Sequence, residues 1–429
     1  MLERLFALET FGIKLGLENI RRLCEALDHP ERTFLSLHIA GTNGKGSVTA
    51  MVHAALMAAG VRAARYTSPH LVHLRERFVV GNAVVDAATL EQVAADVLDR
   101  ADVLQRTGVL PAPPTFFEAT TAIAFEIFRR QRVQVAVVEV GLGGRFDATN
   151  VLAAPVGAIT SIALDHQQHL GHTIAEIAAE KAGIIKPGMT VVCGRLPSAA
   201  LQVIQTAAAE RGARLVQPAA RDVYYEMEEG RARLTIETEQ RSYGPMLLAL
   251  RGKHQVGNAA VAAGVLEAVS GHGFDVPISA VVEGLETVHW PARLQLFHLA
   301  GGERVLLDAA HNPEGARALR SYLAAWHPEC PALVVGLMRD KDADAILREL
   351  LPVTSAVIAT AADTARAMPA SELADRVRAL DSHRAVMVSS DVGAALEAAL
   401  AQSRTVCVAG SIFLAGAVLE RLEQRDILR

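Results

Sequence analysis

Cysteine is scarce in this chain. Its 429 residues include four, Cys24, Cys193, Cys330 and Cys407. Their wide spacing forms no metal-type pair, and they read as isolated thiols of a reducing compartment. An excess of positive charge is missing too. Lys and Arg number 42 against 47 Asp and Glu, a net charge of −5, which argues against a general nucleic-acid or membrane-surface binder. No apolar run reaches membrane-spanning length. The opening MLERLFALETFGIKLGLENI lacks a signal peptide's order of basic start, apolar stretch and small-residue cleavage site. Low-complexity segments are absent as well. The expectation is a cytoplasmic protein with no nucleic-acid and no membrane partner, and by default a monomer.

What is present is ample material for packed cores. Hydrophobic residues make up 51% of the chain and charged residues 21%, and the length favours two domains over one. From about residue 34 to 215, short β-rich runs alternate with helical patterns. The strand candidates are TFLSLHI (33–39), VRAARY (61–66), VQVAVVEV (133–140), VGAITSI (156–162) and TVVCG (190–194). Near-continuous apolar strands in βαβ alternation imply a parallel sheet covered on both faces. DVYYEMEEGRARLTIETE (222–239) changes the rhythm and predicts an antiparallel hairpin at that sheet's margin. A helix-rich stretch over 254–288 follows, and after WPARLQ (290–295) five further βα units run to the end. The predicted fold is α/β: a P-loop-type, mainly parallel sheet domain over 1–293 with a small antiparallel margin, then a smaller Rossmann-like domain over 294–429.

GTNGKGS (41–47) stands between a strand and a helical stretch, the context a phosphate loop requires. Glycines let backbone N–H groups turn toward phosphates, the helix N-terminus adds partial positive charge, and Lys45 adds a full one. Thr42, Asn43, Gly44, Lys45, Gly46 and Ser47 are therefore the candidate nucleotide cradle, with the Ser47 hydroxyl a candidate Mg²⁺ ligand. The spacing departs from the standard Walker pattern, because two residues separate Gly41 from Gly44 and Gly46 intervenes before Ser47.

Other residues carry chemistry in their own right. Glu139 ends a buried strand directly before GLGGR. A carboxylate there is costly unless it meets a cation. His166 follows another strand, and with Ser68 and Glu139 it forms a donor set of hard oxygens and one nitrogen, suited to Mg²⁺. Each alone also has a structural reading. Glu118 suits a helix N-terminus, Asp147 a turn, Asn258 a polar helix start, Asp308 a cap, and Lys181 a solvated position near a helix end.

GTNGKGS resembles the loop of the Mur-type ATP-dependent amide ligases, and the glycine between Lys45 and Ser47 resembles their folylpolyglutamate synthase/dihydrofolate synthase branch. Further stretches match that branch in order: YTSPHLVHLRER (66–77), TFFEATTAIAF (115–125), VEVGLGGRFDATN (138–150), ITSIALDHQQHLGHTIAEIAAEKAGIIKPG (159–188), GKHQVGNAA (252–260), WPARL (290–294) and LLDAAHNPEGA (306–316). The match runs from FGIKLGLENI near the start to GSIFLAG (410–416).

The resemblance implies two Mg²⁺ sites, one held by Ser47 and a second by Ser68, Glu139 and His166, with a carbamylated Lys181 supporting the second. It implies ATP contacts from Asn258, Arg293, Asp308 and His311, and an acceptor site from Thr115, Phe116, Phe117, Glu118, Arg145 and Asp147. Ala292 stands where the family more often has glycine, a change expected to matter little. Catalytic weight falls on Lys45, His166 and Lys181. The implied reaction joins L-glutamate to a pterin or folate carboxylate through an acyl phosphate, with dihydropteroate and reduced folates both as acceptors. The alternatives are a folylpolyglutamate synthase alone, or a P-loop ATPase without ligase activity. A sibling cell-wall ligase would carry an N-terminal UDP-binding domain, for which a phosphate loop at residue 41 leaves no room.

Overall fold

The structure is a computed structural model describing residues 2–12, 14, 16–217 and 223–424. Parts of the FGIKLGLENI match and the first residue of the expected hairpin lie outside the described residues. Seventeen strands form three sheets among those described. The first holds β1 (Leu35–Ala40), β2 (Ala63–Tyr66), β3 (Phe78–Val80), β4 (Ala83–Val84), β5 (Val135–Glu139), β6 (Val156–Ile159), β7 (Thr190–Cys193) and β8 (Arg214–Val216). Their order is β4-β3-β2-β5-β1-β6-β7-β8. The six strands from β2 to β8 in that order are parallel, while β3 and β4 are antiparallel.

Successive β5 residues face opposite cores. Val135 and Val137 join a cluster with the helices Lys45–Ala58, His254–Ser270 and Ile278–Thr287, and Ala136 and Val138 join a second with Ala87–Arg106 and Phe116–Arg130. This two-sided burial explains why the strand shows no polar alternation. The chain moves to one side of β1 for β2 and β5 and to the other for β6. The crevice at the carboxyl end of β1 is therefore the switch point where open α/β sheets bind ligands.

The segment after residue 222 corrects one expectation. β9 (Val223–Glu228) and β10 (Arg231–Glu237) do form a hairpin, but β11 (Ser242–Arg251) joins them in a separate three-stranded sheet. Ala232, Leu234 and Ile236 of β10 and Tyr243, Met246 and Leu248 of β11 bury one face in the first core. That face covers the helices instead of extending the parallel sheet. The sheet's own antiparallel margin is β3–β4.

The third sheet contains β12 (Gln295–His298), β13 (Arg304–Leu307), β14 (Ala332–Val335), β15 (Val357–Ala359), β16 (Val386–Val388) and β17 (Thr405–Ala409), ordered β12-β13-β17-β14-β15-β16. It is parallel apart from β12 and has a core on each face. The α/β architecture expected from the sequence is present in both halves.

Candidate active site

A cavity of about 1830 Å³ opens at the carboxyl end of β1 and is walled by both the first and third sheets' loops. Its floor is the phosphate loop. Gly41 (φ +149°) and Gly44 (φ +86°) have backbone conformations that disfavour a side chain. A β-carbon on Gly41 would lie 1.9 Å from Thr160 Oγ1, and one on Gly44 2.4 Å from Asn258 Oδ1. The loop is tied down further by the end of β6: Thr160 donates to Asn43 O (2.6 Å) and Asn43 N to Ser161 Oγ (2.9 Å).

Two ammonium groups converge on Gly41. Lys45 Nζ donates to Gly41 O and Thr42 O, each at 3.1 Å, and Lys181 Nζ donates to Gly41 O at 2.9 Å. Lys181 stands in the last turn of Ile174–Ala182 and is 3% exposed. Burial and the neighbouring Lys45 charge push its pKa down to about 7. The solvated-lysine reading fails, because the side chain points inward at the loop.

Ser47 is buried and accepts a long hydrogen bond from Gln255 Nε2 (3.5 Å); Gln255 Oε1 accepts from Asn258 Nδ2 at 2.8 Å. Glu139, 5% exposed, accepts from the Ser68 backbone N–H at 3.3 Å and makes no ion pair among the described residues. Burial raises its pKa, opposed by the charges of Lys45 and Arg293. A buried carboxylate without a salt-bridge partner among the described residues, lining one cavity with Ser47 and Ser68, fits a hard divalent cation. Among the described residues no three His, Cys, Asp or Glu side chains are placed to hold a metal ion by themselves, so other donors such as Ser47 and Ser68 would have to contribute to any such site. His166, with a left-handed backbone (φ +50°), also lines the cavity, its Nε2 3.5 Å from Lys341 Nζ and 4.0 Å from Asp165 Oδ2. Burial lowers its pKa to about 4, leaving a neutral imidazole able to act as a ligand.

From the third sheet, Asp308 accepts from Leu294 N and Ala310 N, both at 2.9 Å, so the capping reading describes its bonds here. Burial raises its pKa, and the nearby Arg293 charge opposes that rise. His311 Nδ1 lies 2.8 Å from Ala309 O. Ala292 is buried with φ +54°, and Leu294 has φ +48°. This corrects the expectation that alanine at 292 matters little: the backbone there favours glycine, whatever the ligand touches.

Thr115 and Glu118 form a reciprocal capping box on Phe116–Arg130, with Thr115 N donating to Glu118 Oε2 (2.7 Å) and Glu118 N to Thr115 Oγ1 (3.2 Å). Asp147 accepts from Leu142 N (2.8 Å), Thr149 N (3.0 Å) and the Thr149 hydroxyl. Phe116, Phe117, Glu118 and Asp147 still line the cavity, but Arg145 does not. Its half-exposed side chain lies 3.6 Å from Glu180.

Sequence reasoning missed the polar network between the two halves. Lys341 Nζ donates to Asp165 Oδ1 at 2.6 Å, and Asn312 Nδ2 donates to Asp165 Oδ2 at 3.0 Å and Asn43 Oδ1 at 2.9 Å. Asn43 Nδ2 donates to Glu314 Oε2 at 2.6 Å. Asp165 and Asn312 sit beside the singled-out His166 and His311, so the signal lay one residue away.

Two family models match this chain: the Mur ligase middle domain over residues 39–266 and the Mur ligase glutamate ligase domain over 292–412. The dihydrofolate synthase/folylpolyglutamate synthase of Mycobacterium tuberculosis is 35% identical, over 94% of this chain and 89% of its own. The chain belongs to the dihydrofolate synthase/folylpolyglutamate synthase family of Mur ligases. The M. tuberculosis folylpolyglutamate synthase solved with ADP and AMPPCP superposes with a TM-score of 0.90 at 33% identity, covering 96% of each chain. The bifunctional enzyme of Yersinia pestis, solved with AMPPNP and a manganese ion, gives 0.83 at 30%, covering 98% of this chain and 97% of that one. A Mur ligase is an ATP-dependent enzyme, and the cradle, buried carboxylate and facing third sheet of this member are arranged for that chemistry. No helix among its described residues is long and apolar enough to cross a membrane.

Proposed function

We propose that this ligase joins the α-amino group of L-glutamate to a carboxylate of dihydropteroate and of reduced folates, acting as both dihydrofolate synthase and folylpolyglutamate synthase. The observation that carries this reading is the convergence of Lys45, Lys181 and the unpaired carboxylate Glu139 on one cavity, faced by Arg293 from the strap into the third sheet.

A carboxylate and an amine do not condense in water, because the carboxylate carbon is a poor electrophile and hydroxide a poor leaving group. The acceptor carboxylate oxygen attacks the γ-phosphorus of ATP and ADP leaves. The glutamate nitrogen then attacks the acyl carbon, and the tetrahedral intermediate expels phosphate as the amine loses its protons. Residues 42–47 hold the triphosphate, with Asn258, Arg293, Asp308 and His311 closing over the nucleotide. Catalysis is positioning and charge neutralisation. Two Mg²⁺ sites are assigned, Ser47 to the first and Ser68, Glu139 and His166 to the second. When bound, the ions neutralise phosphate charge. Lys181, whose neutral form is accessible near pH 7, is assigned as the carbamylated lysine. Thr115, Phe116, Phe117, Glu118, Arg145 and Asp147 are assigned to the acceptor, which requires Arg145 to leave Glu180. Division of the chain at 293/294, a monomeric state and a cytoplasmic location belong to the same proposal.

The test is glutamate-dependent phosphate release with Mg-ATP, run in parallel with dihydropteroate and tetrahydrofolate and with products checked by mass. Product from both acceptors is expected. Product from tetrahydrofolate alone reduces the assignment to a folylpolyglutamate synthase, and none from either overturns it.

A further inference from the structure

The glycine that interrupts the phosphate loop has a neighbour that explains it. A β-carbon on Gly46 would lie 2.6 Å from Cζ2 of Trp290 and 3.0 Å from its Cε2 and Nε1. The indole therefore lies against the first turn of the helix Lys45–Ala58, between the lysine and the serine of the cradle. The guanidinium of Arg65 on β2 lies 5.3 Å from the same ring's centroid. Arg65 makes no ion pair among the described residues, and its buried Nε has no hydrogen-bond partner. The indole face is thus the partner of a cation held mostly out of water.

Trp290 opens the strap into the third sheet. Pro291 follows with a fixed φ, then Ala292 and Leu294 in left-handed backbone on either side of Arg293. Leu294 N is held by Asp308. Backbone strain of this kind gathers at functional sites. Placement of the indole carries through three residues to Arg293, which lines the same cavity and whose charge acts on Glu139 and Asp308.

We propose that Trp290 is a positioning residue for nucleotide binding: seated on Gly46 and backed by Arg65, it registers Arg293 and the third sheet against the phosphate loop. This rests on the nucleotide reading above. The loop's extra glycine is then a steric requirement of the tryptophan, and the two positions must be coupled.

The chain has two tryptophans, so a W326F background leaves Trp290 as the sole indole reporter. ATP affinity is measured by its fluorescence and, for every variant, by calorimetry. Gly46→Ala is expected to weaken ATP binding by at least about tenfold, the scale of overpacking at a close contact. Trp290→Leu is expected to raise the KM for ATP several-fold while kcat at saturation stays within about threefold. The double variant G46A/W290L should bind no worse than W290L, because the clash is gone. Losses that simply add in the double variant overturn the proposal, as does a G46A protein that binds ATP like the parent. Should G46A not fold, W290F must restore the KM that W290L loses; equal KM values for the two overturn it. A parent protein that binds no ATP indicts the nucleotide reading instead.

Discussion

At the scale of single residues, the site's chemistry is set by burial acting on few charges. Lys181 shows this most directly. Its ammonium is penalised in the folded protein by burial and by Lys45, and its pKa falls to about 7 from the ordinary lysine value. Below pH 7 both folded and unfolded chains carry the proton, and the folded one bears the full desolvation cost. Between about pH 7 and the ordinary lysine range only the unfolded chain holds it, so this cost is relieved as pH rises. In CO₂-free buffer, Lys181→Met should therefore melt above the parent at pH 6, with the gap closing toward pH 10. Calorimetry across that range checks it, and a gap independent of pH contradicts the buried-amine account. In ¹³C-bicarbonate, a carbamate carbonyl resonance is expected from the parent and none from the variant.

At the scale of elements, several candidate residues are shapers of the local backbone. Glu118 caps a helix and Asp147 closes a turn, and the same bonds hold the neighbouring backbone in the cavity wall. These dual positions explain why a bland and a functional reading of the sequence were both available. The strap residue Ala292 gives a sharper test. With φ +54° and a buried methyl group, alanine bears a conformational cost that glycine lacks. Ala292→Gly should stabilise the protein by about 1 kcal/mol, read as a higher urea midpoint at unchanged slope. A lowered midpoint would show that the methyl group's packing in the third-sheet core outweighs the backbone term.

At the scale of the whole molecule, the two halves meet through Asp165. Burial alone would raise its pKa, but His166, Lys341 and His311 around it hold it below the usual carboxylate range. The sign is that of a depressed acid: the contribution is present above the ordinary carboxylate range and lost as pH falls through the lowered value. Lys341→Met leaves the buried carboxylate with Asn312 and no full counter-charge. Breaking such a pair costs about 3 kcal/mol, and here the chain can escape that cost by separating the halves. Small-angle scattering should show a larger radius of gyration for K341M than for the parent, with D165N/K341M returning toward the parent value. An unchanged radius in K341M would mean that other contacts fix the closure.

The sequence by itself determined the α/β class, the phosphate loop and the family. Strand burial, glycine spacing and strand-end carboxylates are local patterns, and local patterns are written in order along the chain. It did not determine that the 222–239 hairpin covers helices in a sheet of its own, because the partner strand and the face it buries lie elsewhere. Nor did it show that Lys181 points inward, that Arg145 stands off the cavity wall, or that Lys341 meets Asp165 across 176 positions. The reason for Gly46 was likewise hidden, since Trp290 lies 244 residues along the chain from it. Those facts belong to tertiary structure because each is a meeting of distant residues, decided by packing and by the need of buried charge for a partner.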